Sequence, residues 1–288
     1  MNIQSGIAFT ERDELYYKVR GTGKPIFFIA PGGGNGDDYL PVANILADSY
    51  EIITYDRRAN ARSTRNFPNE FNIRQQSRDA LAVLNAVGEA KAMVVGNSSG
   101  AVIALDMATA FPEHVHAAII HEAPVPSVLP EPEAGKWKDF FATCYKLAVE
   151  KGASAGAKRF FFGAELPAYA LLWATIKLRV FMQKERLDDE PPRISREDAT
   201  DVLLLNELLS VTWYEPDFEK AKTGGAKLFF GCSQYGLKRN AWYAVAAQIM
   251  AEKLTSEMIE FPGHHGSHMD RPVEWAKVIR AIAHKINW

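Results

Sequence analysis

The chain has 288 residues, 47% hydrophobic and 24% charged, with a formal net charge of −2, a profile that fits a soluble globular protein large enough for one domain carrying an insertion. The near-neutral balance, without a basic stripe, argues against nucleic acid or an acidic membrane as partner. Cys144 and Cys232 are too few for a disulfide framework and lack metal-ligand spacing, so both are expected to pack as small apolar residues in a reducing compartment.

Residues 1–13 carry Glu11, Arg12 and Asp13 and no continuous apolar core, which speaks against a signal peptide. The most apolar window, 168–182, is interrupted by Lys177 and Arg179 and is too short to span a bilayer. The expected location is therefore cytoplasmic, without membrane association. Residues 14–19 read as a strand, broken by Gly21-Thr22-Gly23, and residues 26–30 as a second, ending in Pro31-Gly32-Gly33-Gly34. A helix over 37–47, a strand over 51–55 rich in β-branched residues and a loop over 56–63 follow. Asn72 and Gln75 form a capping pair that opens an amphipathic helix to about Val87.

Residues 92–95 are a short apolar run, 101–111 a helix stopped by Pro112, and 115–121 a further buried strand. Between about 124 and 224 only helical periodicity is legible, over 137–149, 154–161, 167–186 and 195–211, the last opened by a Ser195-x-x-Asp198 box. Asp188-Asp189-Glu190-Pro191-Pro192 reads as a linker. Alternation resumes with a strand over 228–231, a helix over 239–253, a strand over 257–261 and a closing helix over 272–286. The expected fold is α/β, with a mostly parallel central sheet flanked by helices. Its core comprises 1–124 and 225–288, and a helical cap of residues 125–224 is inserted between two strands, over the strand ends where ligands bind.

Residues 94–101 join strand to helix through Gly96-Asn97-Ser98-Ser99-Gly100, the Gly-x-Ser-x-Gly pattern of a nucleophile elbow. An ordinary glycine-rich βα turn would also explain it, so the rest of the chain must supply a base, an acid and oxyanion donors. His264, His265 and His268 all follow the last strand, and at most one can be the base. The usual place for the acid, after the 228–231 strand, reads Gly231-Cys232-Ser233-Gln234-Tyr235 and holds none. Glu122, directly after the 115–121 strand, is the expected replacement, with Asp217 and Glu215 as fallbacks. The backbone N–H groups of Ser99 and Gly33 are the expected oxyanion hole. The 31–36 loop fits neither dinucleotide nor phosphate-loop spacing, and no cofactor-binding residue or metal ligand is assigned.

These residues together resemble the α/β-hydrolase superfamily over nearly the whole chain. The resemblance rests on the glycine-rich loop, the Asp-Arg-Arg loop at 56–63, Gly96–Gly100, and a Gly-His loop with Pro272 seven residues after His265. That spacing implies His265, rather than His264, as the catalytic histidine. His121-Glu122-Ala123-Pro124 is similar to the His-Glu-x-Pro segment of the zearalenone lactonase group, where the triad acid is a glutamate after this strand. The resemblance implies hydrolysis of a carboxylic ester or lactone through Ser98 (nucleophile), His265 (base) and Glu122 (acid). Ala59 and Ala61 replace glycines common in the Asp-Arg loop, and Pro31 replaces the usual histidine of the oxyanion loop, changes expected to reshape the pocket. The alternatives are carbon–carbon bond hydrolysis with the same triad, or a small-molecule receptor of little turnover. Epoxide and haloalkane hydrolysis are disfavoured because those relatives carry aspartate where Ser98 stands. An aromatic-rich cap points to an apolar, aromatic or macrocyclic substrate, with about a quarter of its aromatics facing the pocket; the oligomeric state is not legible.

Overall fold

The computed structural model describes residues 3–66, 71–185 and 194–288. Among these residues, eight strands form one sheet in the order β1-β2-β4-β3-β5-β6-β7-β8. They are β1 (Ile3–Thr10), β2 (Asp13–Arg20), β3 (Pro25–Ile29), β4 (Glu51–Tyr55), β5 (Ala92–Asn97), β6 (Val115–His121), β7 (Lys227–Ser233) and β8 (Glu257–Phe261). The first two joins are antiparallel and the remaining five parallel, as the alternation of short apolar runs with helices predicts.

Strand side chains alternate between the faces, and the core divides accordingly. Phe27, Ile29, Val94 and Ile120 pack toward α2 (Ile73–Val87), α3 (Ser99–Ala110) and α11 (Trp242–Lys253). Ile26, Phe28, Val95 and Ile119 pack toward α1 (Leu40–Leu46) and α12 (Pro272–Lys285). Helix α2 opens as expected, with Asn72 Oδ1 accepting from Gln75 N at 2.7 Å, and closes on left-handed Gly88.

Among the described residues, six α-helices lie between β6 and β7: α4 (Glu133–Lys151), α5 (Ala153–Gly163), α6 (Ala168–Glu185), α7 (Arg196–Asp201), α8 (Leu208–Thr212) and α9 (Phe218–Thr223). The expected linker at 188–192 lies outside the described residues. No helix among the described residues is long and apolar enough to cross a membrane.

Several elements differ from the sequence expectation. The helix expected over 37–47 is a 3-10 turn (Gly36–Tyr39) followed by α1, because Pro41 cannot supply an interior helical N–H and is tolerated only in a first turn. The helix expected over 195–211 is interrupted by a π-helical segment, Val202–Glu207, between α7 and α8. The helix expected over 239–253 begins at Trp242, and a further short helix not expected from the sequence precedes it. The short α10 (Gln234–Arg239), capped by Ser233, ends on left-handed Asn240 before α11 begins. Strand β1 is not legible in the sequence, since its edge position leaves half of its side chains exposed and Phe9 projects outward at 76% exposure.

Candidate active site

Strand β5 delivers Ser98 into a turn with φ 56° and ψ −123°, a left-handed conformation that costs a non-glycine residue about 1–3 kcal/mol. Neighbours on both sides impose it. Ser98 N–H donates to the His121 carbonyl at 2.9 Å, and α3 starts at the next residue. The flanking glycines allow the close crossing: a Cβ at Gly96 would stand 2.2 Å from the Gly100 carbonyl oxygen, and one at Gly100 2.2 Å from that of Ile29. The pattern read from the sequence is thus a tight strand–turn–helix junction, with Ser98 on the wall of a cavity of about 890 Å³.

The same wall holds Glu122, His265, Gly33 and Ser99, so all five expected site residues come together. Glu122 also has positive φ (50°), turning its carboxylate back from the end of β6. Its Oε2 accepts from His265 Nδ1 at 2.5 Å, while Oε1 accepts from Ser233 N–H at 2.8 Å, Ser233 Oγ at 2.5 Å and the Cys232 thiol at 3.3 Å. Burial alone would raise the Glu122 pKa; the His121 and His265 imidazoles and the Ser233 hydroxyl outweigh it and hold the group well below the carboxylate range. Glu122 is therefore an anion at neutral pH, and its bond fixes a proton on His265 Nδ1, leaving Nε2 as the basic nitrogen.

The fallback acids are elsewhere. Asp217 caps α9, accepting from Lys220 N at 2.9 Å, and exposed Glu215 pairs loosely with Lys138 at 3.8 Å. The other two loop histidines are packed differently. His264 faces Asp270 at 3.5 Å, and His268 is buried against Tyr39 and Trp275, its pKa far below normal because of burial and then the neighbouring histidines. Gln234 staples the histidine loop, donating to Glu260 at 2.9 Å and accepting from Gly263 N–H at 3.2 Å.

Two supporting residues escaped the sequence reading. Asn97 lies inside the elbow motif. Its Nδ2 donates to the His265 carbonyl at 3.1 Å and its Oδ1 faces His121 Nδ1 at 2.8 Å, so it ties the nucleophile turn to the histidine loop. Burial lowers the His121 pKa to about 4, so this ring is neutral and donates from Nδ1. Ser233, in the turn after β7 that carries no acid, donates to Glu122 through both its backbone N–H and its hydroxyl.

The glycine-rich loop is braced from below by the Asp-Arg-Arg loop. Asp56 accepts from Gly36 N–H at 2.9 Å and from Arg62 Nε at 2.6 Å, and Arg57 N–H donates to the Gly34 carbonyl at 2.8 Å. Gly34 N–H is taken by the Pro31 carbonyl at 2.9 Å, whereas Gly33, at φ 90°, has no backbone partner among the described residues. Ser99 N–H, at the start of α3, has no hydrogen-bond partner among the described residues. The two alanines in the Asp-Arg loop adopt the left-handed backbone that glycine would take without strain (φ 62° at Ala59, 44° at Ala61), and Ala61 also lines the cavity.

The Arg57 guanidinium, fully buried, donates through Nη2 to the Pro31 carbonyl at 2.7 Å and to Glu207 at 2.8 and 3.0 Å. Glu207 ends the π-helical segment, and Leu203 in that segment sits so close to Gly32 that a Cβ there would stand 2.8 Å from it. The glycine-rich loop and the helices over it are thus clamped through one buried ion pair. Of the aromatics between β6 and β7, Phe141, Phe160 and Phe161 line the cavity, while Tyr169, Trp173 and Trp213 are exposed.

A family model for the alpha/beta hydrolase fold matches residues 24–160. The uncharacterized hydrolase YraK of Bacillus subtilis is 30% identical over 277 residues, 92% of this chain and 90% of that protein. The enol-lactonase from Burkholderia xenovorans superposes with a TM-score of 0.71 at 15% identity, over 96% of this chain and 98% of the other. A thermophilic esterase from Thermogutta terrifontis does so with a TM-score of 0.73 at 16% identity, over 98% and 99%. At such identities the two structural likenesses speak to the fold, and the sequence relative to descent: the chain belongs to the α/β-hydrolase family and is a hydrolase.

Proposed function

We propose that the protein is a serine hydrolase that cleaves a carboxylic ester or lactone of a mainly apolar small molecule through an acyl-enzyme. The observation that carries this reading is the Glu122–His265 pair at 2.5 Å, on the wall of the cavity that also holds the strained Ser98. His265 Nε2 removes the proton from Ser98 Oγ as it attacks the acyl carbonyl, and Glu122 stabilises the imidazolium formed. The Gly33 and Ser99 N–H groups receive the negative charge that develops on the carbonyl oxygen. The imidazolium then protonates the leaving alcohol oxygen, or the ring oxygen of a lactone. Water, deprotonated by His265, attacks the acyl-enzyme and releases the acid.

The fold of the enol-lactonase and esterase neighbours, the helices roofing the site and the apolar cavity wall support the ester or lactone class. The resemblance of residues 121–124 to the zearalenone lactonase segment points the same way. In the expected outcome, wild-type protein turns over p-nitrophenyl hexanoate and is labelled at Ser98 by a fluorophosphonate, while Ser98→Ala does neither. Release of p-nitrophenol at the wild-type rate by Ser98→Ala refutes the mechanism; labelling without turnover of any ester in a broad panel favours a receptor.

A further inference from the structure

We propose that Asp38 is a substrate-binding carboxylate which takes a hydroxyl group on the part of the substrate lying against the glycine-rich loop. The inference rests on the hydrolase reading and extends it to the substrate.

Asp38 belongs to the 3-10 turn Gly36–Tyr39 that follows the glycine-rich loop. This turn is rigid: Asn35 Oδ1 accepts from Asp37 N–H at 2.9 Å, and Asp56 holds Gly36 N–H from below at 2.9 Å. Asn35, Asp37 and Asp38 all line the cavity that contains Ser98. Three carboxylates stand in that wall, and two have structural partners. Asp37 binds Lys18 at 3.3 Å and Arg62 at 2.9 Å, and Glu122 binds His265 and Ser233. The Asp38 carboxylate makes no hydrogen bond or ion pair among the described residues, although its backbone N–H donates to the Asn35 carbonyl at 3.1 Å. It is only partly buried, and it is part of the cavity lining.

A carboxylate enclosed without a partner is unfavourable, and its surroundings show the tension. Burial, then Asp37 and Asp56, push its pKa up to about 7. The nearby cation, Arg57, bonds Pro31 and Glu207 through Nη2 while its Nε and Nη1 have no partner among the described residues, and Arg62 is held by Asp56 and Asp37; neither guanidinium bonds Asp38. What the side chain lacks is a donor, and the cavity is where one can arrive. A hydroxyl suits it better than an ammonium. Arg57 and Arg62 oppose a further cation, and a largely apolar wall does not compensate its desolvation. A hydroxyl can donate to the ionised carboxylate and accept from the protonated acid, so it binds on either side of pH 7.

Matched ester pairs test this. Butyl hexanoate is compared with butyl 6-hydroxyhexanoate, and with the monohexanoate of 1,4-butanediol, so that the hydroxyl is offered on the acyl and on the alcohol side. The expected result is a preference of about tenfold or more in kcat/KM for one hydroxylated member, expressed mainly in KM, in line with a hydrogen bond to a charged group. Asp38→Leu brings that ratio close to one, and Asp38→Asn, which keeps an acceptor, retains part of it. Because the readout is a ratio within one variant, losses common to both substrates cancel. A wild-type enzyme indifferent to the hydroxyl in both pairs overturns the proposal, as does a preference that survives Asp38→Leu. A stronger preference for the 6-aminohexanoate ester that grows above pH 7 also overturns it, in favour of an ammonium ligand. The same pairs bound to Ser98→Ala, read by calorimetry, show the hydroxyl preference without turnover. Failure there is failure of the Asp38 assignment, whereas preference in binding without turnover of any ester by the wild type is failure of the hydrolase reading alone.

Discussion

Replacing Glu122 by Gln changes one heavy atom and should almost abolish catalysis, for a reason legible in the geometry. Three donors converge on Oε1: Ser233 N–H at 2.8 Å, Ser233 Oγ at 2.5 Å and the Cys232 thiol at 3.3 Å. A glutamine must place its carbonyl oxygen there, because an NH2 group would face donors. Its amide nitrogen then occupies the Oε2 position, 2.5 Å from His265 Nδ1 in the wild-type geometry, and donates to that nitrogen. The ring proton is driven to Nε2, the atom that has to accept from Ser98. A triad locked in the wrong tautomer, without its anion, loses about 10⁴ in kcat, near 5.5 kcal/mol of transition-state stabilisation. KM should change little, since Glu122 acts on substrate only through His265. The assay is steady-state hydrolysis of p-nitrophenyl hexanoate, with the rate of fluorophosphonate labelling as an independent measure of nucleophile activation and a denaturant titration to show that the fold is kept. A Glu122→Gln enzyme within tenfold of wild type in kcat would refute the assignment of the acid.

The remaining predictions concern buried charges. Glu207→Ala leaves Arg57 buried and uncompensated, and should lower the unfolding free energy by about 3–5 kcal/mol; Arg57→Met combined with Glu207→Leu should recover most of that loss. Equal destabilisation by the single and double variants in urea titrations would show that the pair is not the cause. Asp38 should make wild-type stability fall as pH rises. Its folded pKa of about 7 lies above the ordinary value of 3.8, so the unfolded chain gives up this proton first and the native state loses ground between those values, by at most about 4 kcal/mol. Asp38→Asn removes that contribution, so its stability relative to wild type should be flat below pH 4, grow through the window and level off above pH 7. A difference that stays constant from pH 4 to 8 would contradict the raised pKa.

Much of the α/β pattern could be read because parallel strands and amphipathic helices leave regular apolar signatures. Residues 26–30, 51–55, 92–95, 115–121 and 257–261 are short runs bounded by turns or helices, and each coincides with or overlaps a strand in the structure. Edge strand β1 left no such signature, because only Ala8 and Thr10 among its side chains are buried. The π-helical segment was equally silent. One extra residue per turn changes which side chains share a face without changing composition, and Leu203-Leu204-Leu205 fits any helical period. Within the site, the residue types with distinctive chemistry at the ends of strands were legible: Ser98, Glu122 and His265. Those that act through a backbone group or a shared hydrogen bond were not. Asn97, Ser233 and Arg57 gain their roles from partners 24 to 168 residues away, and no local spacing announces them.

The clamp between Arg57 and Glu207 also constrains how molecules enter and leave. An opening that lifted the 202–207 segment off the glycine-rich loop would strand a buried guanidinium, at a cost of about 3–5 kcal/mol, so it would be populated roughly once in 10²–10⁴ encounters. Helix α6, on another side of the cavity, has no comparable tether among the described residues: Lys177 meets Asp270 at 3.8 Å, and Leu171 rests against Gly266. Free energy therefore favours traffic past α6 while the roof over Gly32 stays seated. On this arrangement α6 and the glycine-rich loop are held independently, and a change that loosens the first need not loosen the second.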